Sequence, residues 1–286
     1  EKALEKLLEL LDALEEADTS RRAAQIDKDG NVTLSSEIPA GKPAAEKSAE
    51  DGTGKSQPLY MSLNHVMEYY IFAYYFQPAT EVRCTDIPYG EYYRTYGQLA
   101  LSMQKYNGAK KAYERAIAWN PVDLDAYLGL AEVYKYQNQR EKYLTVTKQA
   151  YRYCCTRATM ARYYRNMAFY YLSGYEPETA RACYQYSNVY YHTENADSEL
   201  KYISEAIQQE TPQTDIRAIQ KLFDEKQIEP GPDSQTIGIV YKVGEILLKD
   251  GDYKLAKDCY SIVYDITQDA SAEKLLNELE AAIAGN

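Results

Sequence analysis

The string Ala49-Glu-Asp-Gly-Thr-Gly54-Lys55-Ser56 has the approximate spacing of a phosphate-binding loop, with alanine in place of the first glycine. In such a loop backbone amides cradle the phosphates, the lysine reaches the outer ones and the hydroxyl holds magnesium. The amides work only when a buried strand precedes them and a helix N-terminus follows. Here Pro43 to Ser48 is polar and Pro58 interrupts what comes next, so the string lacks the elements that would position it. Asp27-x-Asp29-x-Asn31 has the start of a calcium loop, but Gly30 comes too early and Ile38 stands where a bidentate glutamate is required, which makes it a turn. Histidine supplies little, at His65 and His192 only. Cys84, Cys154, Cys155, Cys183 and Cys259 form no CxxC pair and are read as reduced, mostly packed thiols. No catalytic residue, metal ligand or cofactor is expected from these residue types and spacings.

Bulk properties narrow the classes further. A chain of 286 residues is long enough for two ordinary domains or one extended array. Hydrophobic residues are 45% and charged residues 26% of the total, as in a folded globular chain, and no apolar run reaches the ~18 residues of a membrane span. A net charge of -11 and a pI near 4.9 exclude the basic footprint that nucleic acid requires. The chain begins at Glu1 rather than methionine, which suggests a processed or truncated chain; whether an N-terminal targeting or anchor segment is missing is left open, as is the compartment, with the cytoplasm favoured.

The elements that must carry any function emerge from self-similarity. Gly97, Ala131, Ala168, Ala206 and Gly244 are each preceded four residues earlier by Tyr93, Tyr127, Tyr164, Tyr202 and Val240. Twelve residues after each small residue stand Ala109, Tyr143, Ala180, Ala218 and Ala256, and four further on Tyr113, Thr147, Tyr184, Leu222 and Tyr260. The period is 34 to 38 residues, and Pro121 and Pro230 close the first and fourth copies. Small residues let two helix backbones approach, a large residue one turn away fills the wedge, and Asn120-Pro121 stops the helix.

This pattern resembles the tetratricopeptide repeat family, best in Tyr93-x2-Tyr96-Gly97, Ala109-x3-Tyr113, Ala116 and Pro121. The resemblance implies an all-α fold, a right-handed superhelix of helical hairpins. The repeats are placed at 90–123, 124–157, 161–194, 199–232 (degenerate) and 237–270, with a capping helix at 271–286. Residues 1–78 are read as a split hairpin with helices at about 1–19 and 60–76, separated by a flexible or hairpin-containing insert at 25–58. Within that insert Ile26, Val32 and Leu34 alternate around Asp29-Gly30, a hairpin signal.

In the family the first helix of each repeat lines a concave surface that receives a peptide. Carried over by register, that surface would comprise Arg94, Gln98 and Leu101, then Glu132, Lys135 and Tyr136, then Arg162, Arg165, Asn166 and Phe169. Arginine offers a planar donor fork suited to carboxylates, so the implied partner is a protein or peptide, specifically an acidic or C-terminal segment. The arrangement is loosely similar to a carboxylate clamp, departing from it at Gly129 and Gln98 and in the order of Arg165 and Asn166. Against it stands the ordinary fate of surface arginines, pairing with acids such as Glu91 or Glu132. Tyr136, Tyr163, Tyr190 and Tyr191 fall outside the repeat core and are further contact candidates. The expected function is a non-catalytic protein-interaction scaffold. The alternatives are a nucleotide-binding enzyme using Lys55 and Ser56, or a structural spacer within a larger chain.

Overall fold

The alternation of small and aromatic residues is realised as successive helices joined by short turns. The computed structural model describes residues 2–18, 20–35 and 58–284, so the string at 49–56 lies outside the described residues. Among them are thirteen helices: α1 (Lys2–Ala17), α2 (Val66–Phe76), α3 (Tyr89–Ser102), α4 (Tyr106–Trp119), α5 (Leu124–Tyr136), α6 (Arg140–Tyr151), α7 (Arg157–Ser173), α8 (Pro177–Tyr190), α9 (Glu194–Ile207), α10 (Ile216–Lys226), α11 (Ser234–Lys249), α12 (Tyr253–Thr267) and α13 (Ala270–Ala284). The strands are short: β1 (Arg21–Arg22), β2 (Ala24–Ile26), β3 (Val32–Leu34), β4 (Leu59–Met61) and β5 (Val82–Cys84). The class is all-α. The chain divides into two compact units, Glu1–Val146 and Thr147–Asn286, with the boundary inside α6.

In the first unit α3 and α4 form a close pair, with α5 packed on α4. The Tyr113 ring of α4 lies between two glycines. A Cβ on Gly97 would come within 2.9 Å of the ring from α3, and one on Gly129 within 2.3 Å from α5. The small residue at 97 therefore makes room for the tyrosine sixteen residues on rather than for Ala109, which is itself fully buried. α4 ends at Asn120 because Pro121 has no N–H to continue it, and Asp123 starts α5 by accepting from the Ala126 amide.

The N-terminal helix finds a different partner from the one its spacing suggests. Leu4 and Leu11 bury one face of α1, and its principal contacts run to α3 rather than to α2. Tyr60, expected inside a helix starting near residue 60, lies in β4, and the helix begins at Val66. Leu59 and Met61 are fully buried, and β4 pairs in parallel with β1 on one side and β5 on the other. Those pairings are long-range, which local helical spacing cannot anticipate. β2 and β3 form the antiparallel hairpin around Asp29-Gly30, and β2 packs on α4.

In the second unit α7 pairs with α8, and α8 also holds α9 and α10. Thr156 and Thr159 form a reciprocal capping box at the start of α7. Tyr164 sits at the centre, edge-on to Tyr163 and Tyr186 and stacked with Tyr190 and Phe223. Its hydroxyl donates to the Glu229 carbonyl at 2.8 Å and accepts from the Gly231 amide at 2.7 Å, fixing the turn around Pro230. The degenerate copy has a shifted register: Tyr202, Ala206 and Ala218 are exposed, while Ile203, Ile219 and Phe223 are buried. Burial there follows the apolar residues one place later, the physical cause of the weak match. α11, α12 and α13 complete the unit, with Gly244 against the Tyr260 ring and Leu279 of α13 covering Ala256 and Tyr260.

Candidate functional site

The residues selected by register fall in both units, those on α3 and α5 in the first and those on α7 in the second. On α3, Arg94 is not free. Its Nη1 donates to both oxygens of Asp123, at 2.8 and 3.1 Å. Asp123 is almost wholly buried, and Asn64 bridges it to a second buried carboxylate, Glu68, which also accepts from Asn120 Nδ2 at 2.7 Å. Burial pushes the Asp123 carboxyl above its ordinary range despite the opposing Arg94 charge, and Glu68 adds to the rise. Arg94 thus compensates a buried acid at the α4–α5 corner, a positional role. Gln98 is exposed and Leu101 half-buried. On α5, Glu132 pairs with Lys135 at 3.9 Å one turn away, and Tyr136, 60% exposed, stacks on Tyr106 at 5.4 Å.

The α7 face is different. Arg162 and Arg165 lie one turn apart, both half-buried. Arg165 Nη1 reaches the Tyr191 carbonyl at 3.4 Å, and no carboxylate among the described residues pairs with either arginine. Burial and the neighbouring Arg162 charge together pull the Arg165 guanidinium below its ordinary pKa. Both causes report a positive charge lacking a counter-charge. Asn166 is buried beside them and Phe169 half-buried. Among the extra tyrosines, Tyr191 is exposed and Tyr190 belongs to the Tyr164 cluster. Tyr163 is corrected: it is 3% exposed, wedged between Tyr151 and Tyr164, because the face of α7 beyond its pairing with α8 is also covered.

Sequence reasoning missed one further feature. A cleft of about 660 Å³ opens in the first unit between α1, the β2–β3 hairpin and α4. Two of the lining residues, Arg22 and Arg115, are held by Glu15, which accepts from Tyr93 Oη at 2.6 Å, Arg115 at 2.6 Å and Trp119 Nε1 at 3.2 Å and pairs with Arg22 at 3.0 Å. The partners are separated by up to 104 residues along the chain, so no local spacing could have announced them. The Asp27 carboxylate accepts from the Asp29 and Asn31 amides and from Asn31 Nδ2, closing the turn expected there.

Chemistry of other kinds has little to draw on in the described residues. No group of three or more histidine, cysteine, aspartate or glutamate side chains is placed to hold a metal ion. Burial pushes the Cys155 and Cys259 thiols up to about 11 and Cys154 and Cys183 higher still, which suppresses thiolate formation. No described helix is long and apolar enough to cross a membrane.

No family model and no curated protein matches the chain. Among solved structures it is similar to the APC/C hetero-tetramer Cut9-Hcn1, at 13% identity and a TM-score of 0.39, over 69% of this chain and 38% of that one. It is similar to PilF of Pseudomonas aeruginosa at 15% identity and a TM-score of 0.37, over 68% of this chain and 85% of that one. It is also similar to YrrB, a TPR protein with an unusual peptide-binding site, at 14% identity and a TM-score of 0.35, over 66% of this chain and 91% of that one.

Proposed function

We propose that this chain is a non-catalytic helical-repeat module that binds a protein or peptide segment, and that Arg162 and Arg165 on α7 receive carboxylates of that segment. The observation that carries the reading is the pair itself: two half-buried guanidinium groups, one turn apart, without an acidic partner among the described residues of a chain whose net charge is -11. Acids are abundant here, and a surface arginine ordinarily finds one. Leaving two of them uncompensated costs stability, and a bound carboxylate would recover it through paired, charge-assisted hydrogen bonds. Phe169 and the exposed Tyr191 add aromatic surface on α7 and at the end of α8. On the first unit, Gln98, Leu101, Lys135 and Tyr136 offer a separate, weaker contact surface, and Arg94 contributes to it only by holding Asp123.

Display of random heptapeptides with free C-termini tests the reading. Selection against the intact protein is expected to enrich acidic or C-terminally anchored sequences, and the Arg162→Ala/Arg165→Ala variant is expected to lose that enrichment. An identical enrichment in the variant, or none in either protein, would refute it.

A further inference from the structure

We infer that the outer face of α1 is a self-association surface, on which a second copy of this chain docks its own α1 in antiparallel register. The inference stands apart from the α7 arginines. It begins with the spacing of the leucines. Leu4, Leu11 and Glu15 belong to the row that α1 turns to α3 and α4: the two leucines are buried, and Glu15 accepts from Tyr93 and Trp119. One position earlier runs a second row, Ala3, Leu7, Leu10, Leu14 and Ala17, at alternating steps of four and three residues. That is the spacing of a seam between two helices. Every member of this row is exposed, Leu10 by 58%.

α3 extends the surface. Tyr89 Oη donates to Asp18 and Tyr93 Oη to Asp12, so the two helices run antiparallel. Tyr92 and Leu99, each one position before a fully buried residue, Tyr93 and Ala100, are exposed. In an antiparallel pair, rows one position ahead of the buried rows fall on the same side of both helices. The exposed rows of α1 and α3 therefore form one apolar surface, and a contiguous surface marks an association site where scattered leucines do not.

Charge selects the occupant. A third row, one position earlier again, borders the seam: Lys2, Lys6, Glu9, Ala13 and Glu16, all exposed. Its cations lie at the start of α1 and its acids further on, and the Lys6–Glu9 pair at 3.7 Å is of the weak surface kind that exchanges readily. Place a two-fold axis through Leu10. Lys2 and Lys6 then stand eight and four residues to one side and Glu16 six to the other, so at about 1.5 Å per residue the lysines of one copy bracket Glu16 of the other within about 3 Å along the helix. The same register sets Leu7 against Leu14 and Ala3 against Ala17. Parallel pairing would instead set lysine on lysine and glutamate on glutamate. A face that is its own complement under a two-fold fits a second copy. An anionic lipid surface fits poorly, since α1 carries five acids to two lysines in a chain of net charge -11.

The test is sedimentation velocity of the intact protein over a range of concentrations, in which a reversible dimer is expected. Leu10→Asp, on the two-fold, is expected to leave a monomer with unchanged emission from Trp119, whose bond to Glu15 reports that α1 stays docked. Glu16→Lys and Lys2→Glu/Lys6→Glu are each expected to raise the dimer dissociation constant about tenfold. An equimolar mixture of those two variants, in which both edges are again complementary, is expected to recover association. A monomer at every concentration, a dimer indifferent to Leu10→Asp, or charge variants that associate as tightly as the parent would each overturn the inference. So would a photoreactive residue in place of Leu10 that cross-links to residues 36–57 of its own chain, or a monomer that binds phosphatidylcholine vesicles through Leu10, since each assigns the row to another occupant. None of these results bears on the peptide selection for α7, so the two readings fail separately.

Discussion

Tyr113 shows how one side chain dictates two others. Its ring fills the space that side chains at 97 and 129 would otherwise occupy, so the glycine at 129, where a carboxylate clamp would place asparagine, has a packing cause. Gly129→Ala sets two effects against each other. Helix propensity favours alanine by about 1 kcal/mol, whereas overpacking a filled core costs about 1–3 kcal/mol. On its other side the ring lies so near the Gly97 backbone that a Cβ there would come within 2.9 Å of it, so it has little room to retreat and packing wins. Urea denaturation is expected to show a loss of about 2 kcal/mol with an unchanged m-value, turning into a small gain in a Tyr113→Ala background. A more stable Gly129→Ala protein with Tyr113 in place would contradict this. The glycines and the tyrosine were legible in the sequence as members of a repeat. That they answer one another across two helix pairs was not, since the twelve-residue spacing pointed to Ala109 instead.

At the scale of elements, α1 is held on α3 and α4 by polar groups around Glu15 as much as by its leucines. The chain has a single tryptophan, Trp119, which stacks on Tyr89 at 4.5 Å and donates to Glu15, so its fluorescence reports on α1 docking. Glu15→Ala removes the acceptor of two arginines, a tyrosine and the indole, and is expected to cost about 2–4 kcal/mol and to shift the emission to the red. Unchanged emission and stability would show that α1 docks without that carboxylate. Acid should act in the same direction through Asp18. Burial works to raise this carboxyl, but hydrogen bonds from Ser20 and Tyr89 outweigh it and hold it below its ordinary value. A depressed acid contributes stability that is full above the unfolded pKa and disappears as pH falls through the folded one, so the contribution is lost on the acid side of the ordinary aspartate range. The helices from α3 onward could be read from spacing because their contacts are near neighbours in sequence. The pairing of α1, the strands around Tyr60 and the shifted copy at Ile203, Ile219 and Phe223 could not, because partners far along the chain decide them.

For the molecule as a whole, the three arginines chosen by one register meet opposite fates. Arg94 neutralises a buried aspartate, while Arg162 and Arg165 lie one turn apart without an acid among the described residues, a distinction that depends on where the Asp123 turn folds and which no one-dimensional pattern contains. The functional claim rests on that difference. It is tested most directly by calorimetric titration of an acidic, free-carboxylate peptide chosen by display into three proteins: intact, Arg94→Ala and Arg162→Ala/Arg165→Ala. The account predicts that the α7 double variant loses about 2 kcal/mol or more of binding free energy, roughly thirtyfold, at undiminished thermal stability. It predicts that Arg94→Ala melts at a lower temperature yet binds with unchanged affinity. Equal affinity in the α7 variant, or a loss confined to Arg94→Ala, would contradict it.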